Sequence, residues 1–286
     1  YCEVINYSFV DEALEEAINP GVRPVRLANP ISQELGVMRR SLWPGLLVTA
    51  KQNLSRQQTR LRLLEVGAQF AWKGEMVRET SVLAGLALGR HWPEHWDTAD
   101  REVDFFDVKA DLETIFQLTG RGNEARFVPA DHPALMPGQT ARISFEDETL
   151  GWIGAIHPAI EKRLELKTSA VLFSLQLEPT KIANIAAYQS FSKFPSVRRD
   201  LAIVLDENIS SDQVIGCVRE AAGELLQDVT LFDLYRGTSI DSSRKSMALG
   251  LIFQNPSRTL TDADADQIIG SVVRCLESDI GATIRR

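Results

Sequence analysis

From Phe194 onward the chain switches between strand and helix periodicity in an order that very few folds accommodate. In Arg199 to Asp206 the apolar residues Leu201, Ile203 and Leu205 recur at every second position, so this stretch is predicted as a strand with one buried face. Ser210, followed three residues later by Gln213, is a capping box and starts a helix predicted to run through Leu226. Leu231 to Gly237 and Lys245 to Gln254 return to a period of two. Leu231, Asp233 and Tyr235 are assigned to one face and Phe232, Leu234 and Arg236 to the other. Thr261 then caps an acidic first turn (Asp262, Asp264, Asp266), and Ile268, Ile269, Val272, Val273 and Leu276 form the inner stripe of a second helix. Gly281 stops that helix, and Ala282 to Arg285 is a last short strand.

That order, β-α-β-β-α-β, is the split arrangement of ferredoxin-like sandwiches. The stretch before it reads differently. Val4 to Phe9 is predicted as a strand, and Asp11 to Asn19 as a short helix stopped by Pro20-Gly21. Ser41 is a suitable N-cap for a helix over Leu42 to Asn53, with Pro44 in its first turn and Leu46, Leu47 and Ala50 as its apolar stripe. Strands are predicted at Leu61 to Phe70, Val82 to Leu88, Arg126 to Val128, Thr140 to Phe145, Leu150 to Ile156 and Val171 to Leu177. Two helices interrupt them. One is Asp107 to Leu118, with Leu112, Ile115 and Phe116 inward, and the other is Pro158 to Leu166, whose proline takes the first helical position. Many strands, few helices and hairpin-sized gaps predict an antiparallel sheet flanked by helices. Glu178 to Ser192 loses periodicity and carries Pro179. The fold class is therefore α+β, with a module over residues 1–178, a linker over 179–192 and a second domain over 193–286.

At 286 residues the chain is long enough for two domains, each with its own core. No apolar run approaches the roughly 20 residues of a membrane span, so no membrane partner is expected and a cytoplasmic location is. The chain begins at Tyr1, without Met and directly in an apolar-alternating run, and is expected to be a piece of something longer. Cys2, Cys217 and Cys275 lie far apart with no CxxC or Cys-His spacing, which supports neither a disulfide framework nor a zinc site. Cys217 and Cys275 are read as small apolar residues on helix core faces. The net charge of −8 argues against the broad basic surface of a non-specific nucleic-acid binder, and DNA is not an expected partner. Any RNA contact must then be local. No glycine-rich phosphate loop of either common type is present.

The Leu231 to Gly237 strand offers such a local contact. A carboxylate, a phenol and a guanidinium supply an acceptor for a Watson–Crick edge, a plate to stack on and a cation for phosphate. The same three residues equally suit ordinary strand surface, and the strand alone leaves both readings open.

FPSVRRDLAIVLDE, LFDLYRG, KSMALGLIFQ and SRTLTD together resemble the ferredoxin-fold anticodon-binding domain that closes the beta chain of bacterial phenylalanyl-tRNA synthetase. YCEVINYSFVD, LANPISQELGVMRRSLWPGLL, RLLEVG and GWIGAIHPAI resemble the preceding module of that beta chain, a relative of the class II synthetase catalytic fold. Active class II enzymes carry an arginine after the apolar strand of their second motif, because a guanidinium fork fits phosphate oxygens. At the end of LRLLEVGAQFAW stand Ala71 and Trp72, and the glycine-rich strand and helix-borne arginine of the third motif are missing too. The resemblance thus implies a class II-like module with no catalytic residue, metal or cofactor of its own, which scaffolds a catalytic alpha chain. ATP and Mg2+ belong to the whole enzyme, an assembly of two alpha and two beta chains that attaches phenylalanine to tRNA(Phe). The family's editing site and metal-binding carboxylates lie upstream of where Tyr1 stands.

The resemblance also implies a reader of an anticodon that begins with guanine, whose N1–H and N2–H₂ are paired donors. A carboxylate accepts two such bonds. Asp233 is the expected acceptor, Tyr235 the stacking plate, and Ser246 on the neighbouring strand a further polar contact. Arg198, Arg199, Arg236, Arg244, Lys245 and Arg258 surround them at strand ends and loops and are the phosphate candidates. Each alone equally suits a solvated surface, and Arg199 beside Asp200 also reads as a local ion pair.

Other conspicuous residues read as structural. His91 and His95 are four apart, but Pro93 between them spoils a helical two-histidine metal site. Trp92 and Trp96 are expected to fasten a loop, His157 to open a helix, and Asp107, Lys109 and Asp111 to form a solvated helix face. By analogy with class II modules, the Leu42 to Asn53 helix packs against the alpha chain. Two rival readings stand beside this one. A metabolite-binding regulatory protein would want a glycine-rich strand-to-helix turn where the chain has ENISSDQ. A pure assembly module would make no RNA contact.

Overall fold

The computed structural model describes residues 1–286 except Asn123, Glu146, Asp147, Ile182, Ala186, Ala187, Gln189, Ser190, Thr238, Ser239 and Arg286. The chain divides into two units, Tyr1–Ala186 and Ala187–Arg286. Five residues of the expected linker over 179–192 lie outside the described ones.

The first unit runs β1 (Cys2–Glu3), β2 (Phe9–Val10), α1 (Glu12–Ile18), β3 (Val25–Arg26), β4 (Val37–Met38), α2 (Trp43–Ser55), β5 (Leu61–Lys73), β6 (Met76–Leu88), α3 (Phe105–Leu118), β7 (Ala125–Pro129), β8 (Leu135–Phe145), β9 (Glu148–Ile156), α4 (Pro158–Leu164), β10 (Ala170–Gln176) and α5 (Leu177–Thr180). Seven strands form one sheet in the order β1-β5-β6-β10-β9-β8-β7, antiparallel except for β1 beside β5. Residues of α2 and α4 pack on one face with Leu61, Leu86 and Leu172, and α3 packs on the other with Ile153 and Phe173. A strand buried on both sides reads as a continuous apolar run, which is why Val82 to Leu88 stands out in the sequence. The polar half of β6, Met76 to Ser81, continues the hairpin into solvent and carries no such signal.

Several local expectations are corrected. The strand expected at Val4 to Phe9 does not form, because the chain leaves the sheet to bring Asn6 to the buried Glu65 carboxylate. The Asn6 side chain donates to Glu65 Oε2 at 2.7 Å and its backbone N–H to Oε1 at 3.3 Å. Ser41 is not the cap of α2: Leu42 holds that position without a side-chain bond, and Ser41 is buried. Helix α4 ends at Leu164, since Glu165 turns left-handed (φ 56°). On the face expected to be solvated, Asp111 is exposed but Asp107 is not. Its side chain is 13% exposed, and Arg101 grips both oxygens at 2.6 and 2.7 Å while His91 Nδ1 lies 3.1 Å away. The Arg101 hydrogen bonds hold that carboxyl down at about 2. Trp92 and Trp96 are 57% and 89% exposed, with their rings against His91 and His95 of the same loop (centroids 4.9 and 5.6 Å apart), and Trp92 also lines a cleft with Leu61 and Val103.

His132 gives this unit a pH dependence. Its ring lies edge-on between Trp43 (centroids 5.1 Å apart) and Trp152 (5.0 Å), and its Nδ1 accepts the Ala134 N–H at 3.1 Å. Burial pushes the imidazole down from 6.5 to about 4. The unfolded chain therefore takes up this proton near pH 6.5, whereas the folded one takes it up only near pH 4. Stability is full above the upper value and falls as pH drops between the two. Discounted for residual exposure, the expected loss from pH 7.5 to 5 is about 1–2 kcal/mol. Urea midpoints at the two pH values measure it, and His132→Gln should flatten the difference.

The second unit runs β11 (Val197–Asp206), α6 (Ser211–Ala222), β12 (Leu226–Tyr235), β13 (Arg244–Phe253), α7 (Asp262–Ile280) and β14 (Thr283–Ile284). All pairings are antiparallel, in the order β12-β13-β11-β14, which is the βαββαβ ferredoxin-like sandwich. Capping boxes of Ser210 with Gln213 and Thr261 with Asp264 start the helices, and Gly281 at φ 68° ends α7. Leu201, Ile203, Leu205, Met247, Leu249 and Leu251 meet Val214, Val218, Val272 and Leu276 in the core. Helix α6 is shorter than expected. It stops at Ala222 because Gly223 takes φ 63°, and a 3-10 turn over Gly223–Leu225 leads into β12.

Candidate nucleic-acid interface

Both helices lie on one face of the four-stranded sheet, and among the described residues of this unit none places a helix on the other face. Register decides which side chains stand there. Leu231 pairs with Leu249 but Asp233 pairs with Ala248, so two steps of β12 span one of β13 in a β-bulge. The expected alternation breaks at that point. Leu231 faces the helices with Leu249, while Asp233 and Tyr235 share the open face with Ala248 and Ser246. The bulge also brings out Phe232, 51% exposed, with the Arg198 guanidinium 5.6 Å from its ring centroid.

Asp233 is exposed and Ser246 is buried beneath its neighbours. The Tyr235 ring has the Arg285 guanidinium 5.4 Å from its centroid. Arg285 Nη1 donates to Ser246 Oγ at 3.5 Å, and the Arg285 backbone N–H to the Ala202 carbonyl at 2.9 Å. One guanidinium thus joins the last residues of the chain to two of the three expected base-contacting residues. Gly237 lets the phenol lie close over the backbone, since a Cβ there would come within 3.1 Å of Tyr235 Cε1. Sequence reasoning missed Phe232 and Arg285. The first is revealed only by the bulge. The second was legible, because Thr283 and Arg285 are two apart and share the open-face register.

The six phosphate candidates divide by register and partner. Arg198 has open-face register and donates to Asp200 at 2.8 Å. Arg244, opposite Asp206, donates to the Val204 carbonyl at 3.2 Å and the Gly281 carbonyl at 3.4 Å. Arg199 points to the helix side and holds Asp262 (2.6 Å) in the first turn of α7 and Asp266 (3.4 Å) in the second. Arg258 grips both oxygens of Asp264 at 2.6 and 2.9 Å, which holds that carboxyl far below the usual range. Arg236 pairs with Glu207 at 2.7 Å, and its hydrogen bond lowers the Glu207 carboxyl. Lys245 is buried and donates to the Glu207 carbonyl at 2.7 Å.

In the first unit, Trp72 donates to the Pro24 carbonyl at 3.1 Å, and the Arg23 guanidinium lies 4.4 Å from its ring centroid. His157 caps α4, its Nδ1 accepting the Ala159 N–H.

Residues 192–285, which hold this βαββαβ sandwich, match the model described as the ferredoxin-fold anticodon binding domain, the class of domain to which the second unit belongs. Residues 1–177 match the model described as the phenylalanyl tRNA synthetase beta chain CLM domain. The chain belongs to the phenylalanyl-tRNA synthetase beta-chain family. Along its whole length it is similar to proteins named phenylalanine–tRNA ligase beta subunit: 44% identical in Pseudomonas fluorescens, 43% in Nitrosococcus oceani and 41% in Coxiella burnetii. It spans 36% of the length of each of these relatives. A solved pyrrolysyl-tRNA synthetase of Desulfitobacterium hafniense is similar over 66% of this chain and 68% of that one, at 13% identity and a TM-score of 0.46.

Proposed function

We propose that the second unit reads the anticodon of tRNA(Phe) on its helix-free sheet face, within a phenylalanine–tRNA ligase beta subunit. The observation that carries this reading is the shared open-face register of Asp233, Tyr235 and Ser246. Asp233 accepts the two donors of the guanine edge and Tyr235 supplies the stacking plate. Phosphate contacts fall first to Arg198 and Arg244, which have open-face register. Arg198 would have to leave the exposed Asp200 carboxylate, as Arg199, Arg236 and Arg258 would leave theirs and Lys245 a buried carbonyl, so register is what ranks Arg198 and Arg244 first.

The first unit, in this reading, is a non-catalytic class II-like module that scaffolds the alpha chain in a cytoplasmic assembly of two alpha and two beta chains. Exposed Tyr7 and Val48, which line one groove with Pro44 of α2, offer apolar surface for that partner. ATP and Mg2+ act in the whole enzyme, and the purified chain alone should give no phenylalanine-dependent pyrophosphate exchange.

Binding of tRNA(Phe), and of a tRNA altered at its first anticodon base, tests the interface at two salt concentrations. Asp233→Ala should abolish the preference between the two, and Tyr235→Ala should weaken binding by about 1–3 kcal/mol. Salt-insensitive variants that bind tRNA normally would exclude the face. Failure of the parent chain to bind, with or without alpha chain, would leave an assembly role.

A further inference from the structure

Cys217 and Cys275 are 58 positions apart in sequence, yet they meet where α6 packs on α7. Cys275 and Asp279 stand one turn apart on α7 and share a face. Cys275 Sγ lies 3.3 Å from Asp279 Oδ2 and 3.6 Å from the Cys217 carbonyl oxygen. The two sulfurs and the carboxylate oxygen all fall within 4.8 Å of one another. We propose that Cys217, Cys275 and Asp279 bind one thiophilic divalent cation of the Zn2+ type, tying α6 to α7.

Tetrahedral zinc, with bonds of about 2.3 Å to sulfur and about 2.0–2.2 Å to oxygen, sets its ligands about 3.5–3.8 Å apart. The three donors therefore need to close by about 1 Å at most, a distance side-chain torsions can supply. Two sulfurs favour Zn2+ or Cd2+ over the oxygen-seeking Mg2+ and Ca2+. Ser278 Oγ donates to Asp279 Oδ1 at 2.6 Å, which fixes the carboxylate and leaves Oδ2 turned to the sulfur. Cys217 is buried, Cys275 half-buried and Asp279 exposed, so the site opens at the helix surface and leaves a fourth position for water. Arg274 and Glu277 line the same opening with opposite charges.

A divalent charge favours the thiolate form of both cysteines. Each thiol gives its proton to solvent and the cation takes the place of both. Binding therefore releases two protons and tightens as pH rises. The distance between the cysteines in sequence hides all this from a search for CxxC spacing.

The test uses the full chain with Cys2→Ser, which removes the exposed third thiol, kept reduced by a phosphine. Cadmium is titrated, and the cadmium–thiolate charge-transfer absorption and proton release are read. One cation per chain, about two protons released and a raised melting temperature are expected. Cys275→Ser should lose the absorption band. Asp279→Asn, a surface change that leaves the metal-free fold unaltered by circular dichroism, should weaken binding about tenfold or more. The proposal fails if no thiolate band forms at stoichiometric cadmium, if the band survives Cys275→Ser, or if the two sulfurs resist reduction as a disulfide.

Discussion

Glu65→Ala is expected to destabilise the first unit by about 3–5 kcal/mol. Glu65 is 2% exposed and Arg39 4%, and Arg39 Nη1 donates to Glu65 Oε1 at 2.5 Å. Asn6 adds two bonds to the same carboxylate, and Arg39 Nε donates to the Ala68 carbonyl at 2.8 Å. Removing the carboxylate strands a guanidinium in a region of low dielectric, with the Asn6 side-chain amide and backbone N–H left without their acceptor beside it. The whole pair is another matter, because desolvation offsets most of the Coulomb gain. The double replacement of Arg39→Met with Glu65→Leu should therefore cost less than either half alone. All five tryptophans lie in the first unit, so their fluorescence in urea follows it without interference from the second. A loss under about 1 kcal/mol for Glu65→Ala would mean that solvent reaches the pair.

Gly151→Ala is the second large effect, expected at about 2–4 kcal/mol. Gly151 lies on β9 between β10 and β8, opposite Leu175 and Ile143. A Cβ there would sit 2.7 Å from the Ser174 carbonyl carbon and 3.0 Å from Leu175 Cα. Both are backbone atoms, so no rotamer change relieves the clash and the strands must part. Gly36→Ala is the control: its Cβ would meet only the Gln33 carbonyl oxygen at 3.5 Å, an ordinary contact. Urea midpoints of the two variants decide it, and equal midpoints would sink the packing argument.

The order of elements in the second unit was legible because each start and stop has a local chemical cause. Ser210 and Thr261 cap their helices through side chains three residues on, and Leu201, Ile203 and Leu205 bury one face of a strand. The bulge in β12 was not legible, since Leu231, Phe232 and Asp233 alternate as well in a regular strand. Its effect fell on the candidate site, moving Leu231 away from Asp233 and exposing Phe232. Arginine partners were equally hidden: Arg199 has Asp200 beside it in sequence, but adjacent strand residues point to opposite faces. Arg199 therefore reaches Asp262 across the fold, while Arg198 takes Asp200. In the first unit the coil at Asn6 defeated a period-two pattern because one buried carboxylate needed donors.

The sheet order of the first unit also bears on how the chain is made. Strand β6 receives β5 at once through a tight hairpin, but its other edge waits for β10, with Leu88 pairing Ala170. Until a ribosome has delivered that later segment, Val82 to Leu88 presents unpaired amides along a stretch that is apolar on both faces. Such an edge invites pairing with other nascent chains. Synthesis that stalls between Leu88 and Ala170 should therefore leave an aggregation-prone intermediate.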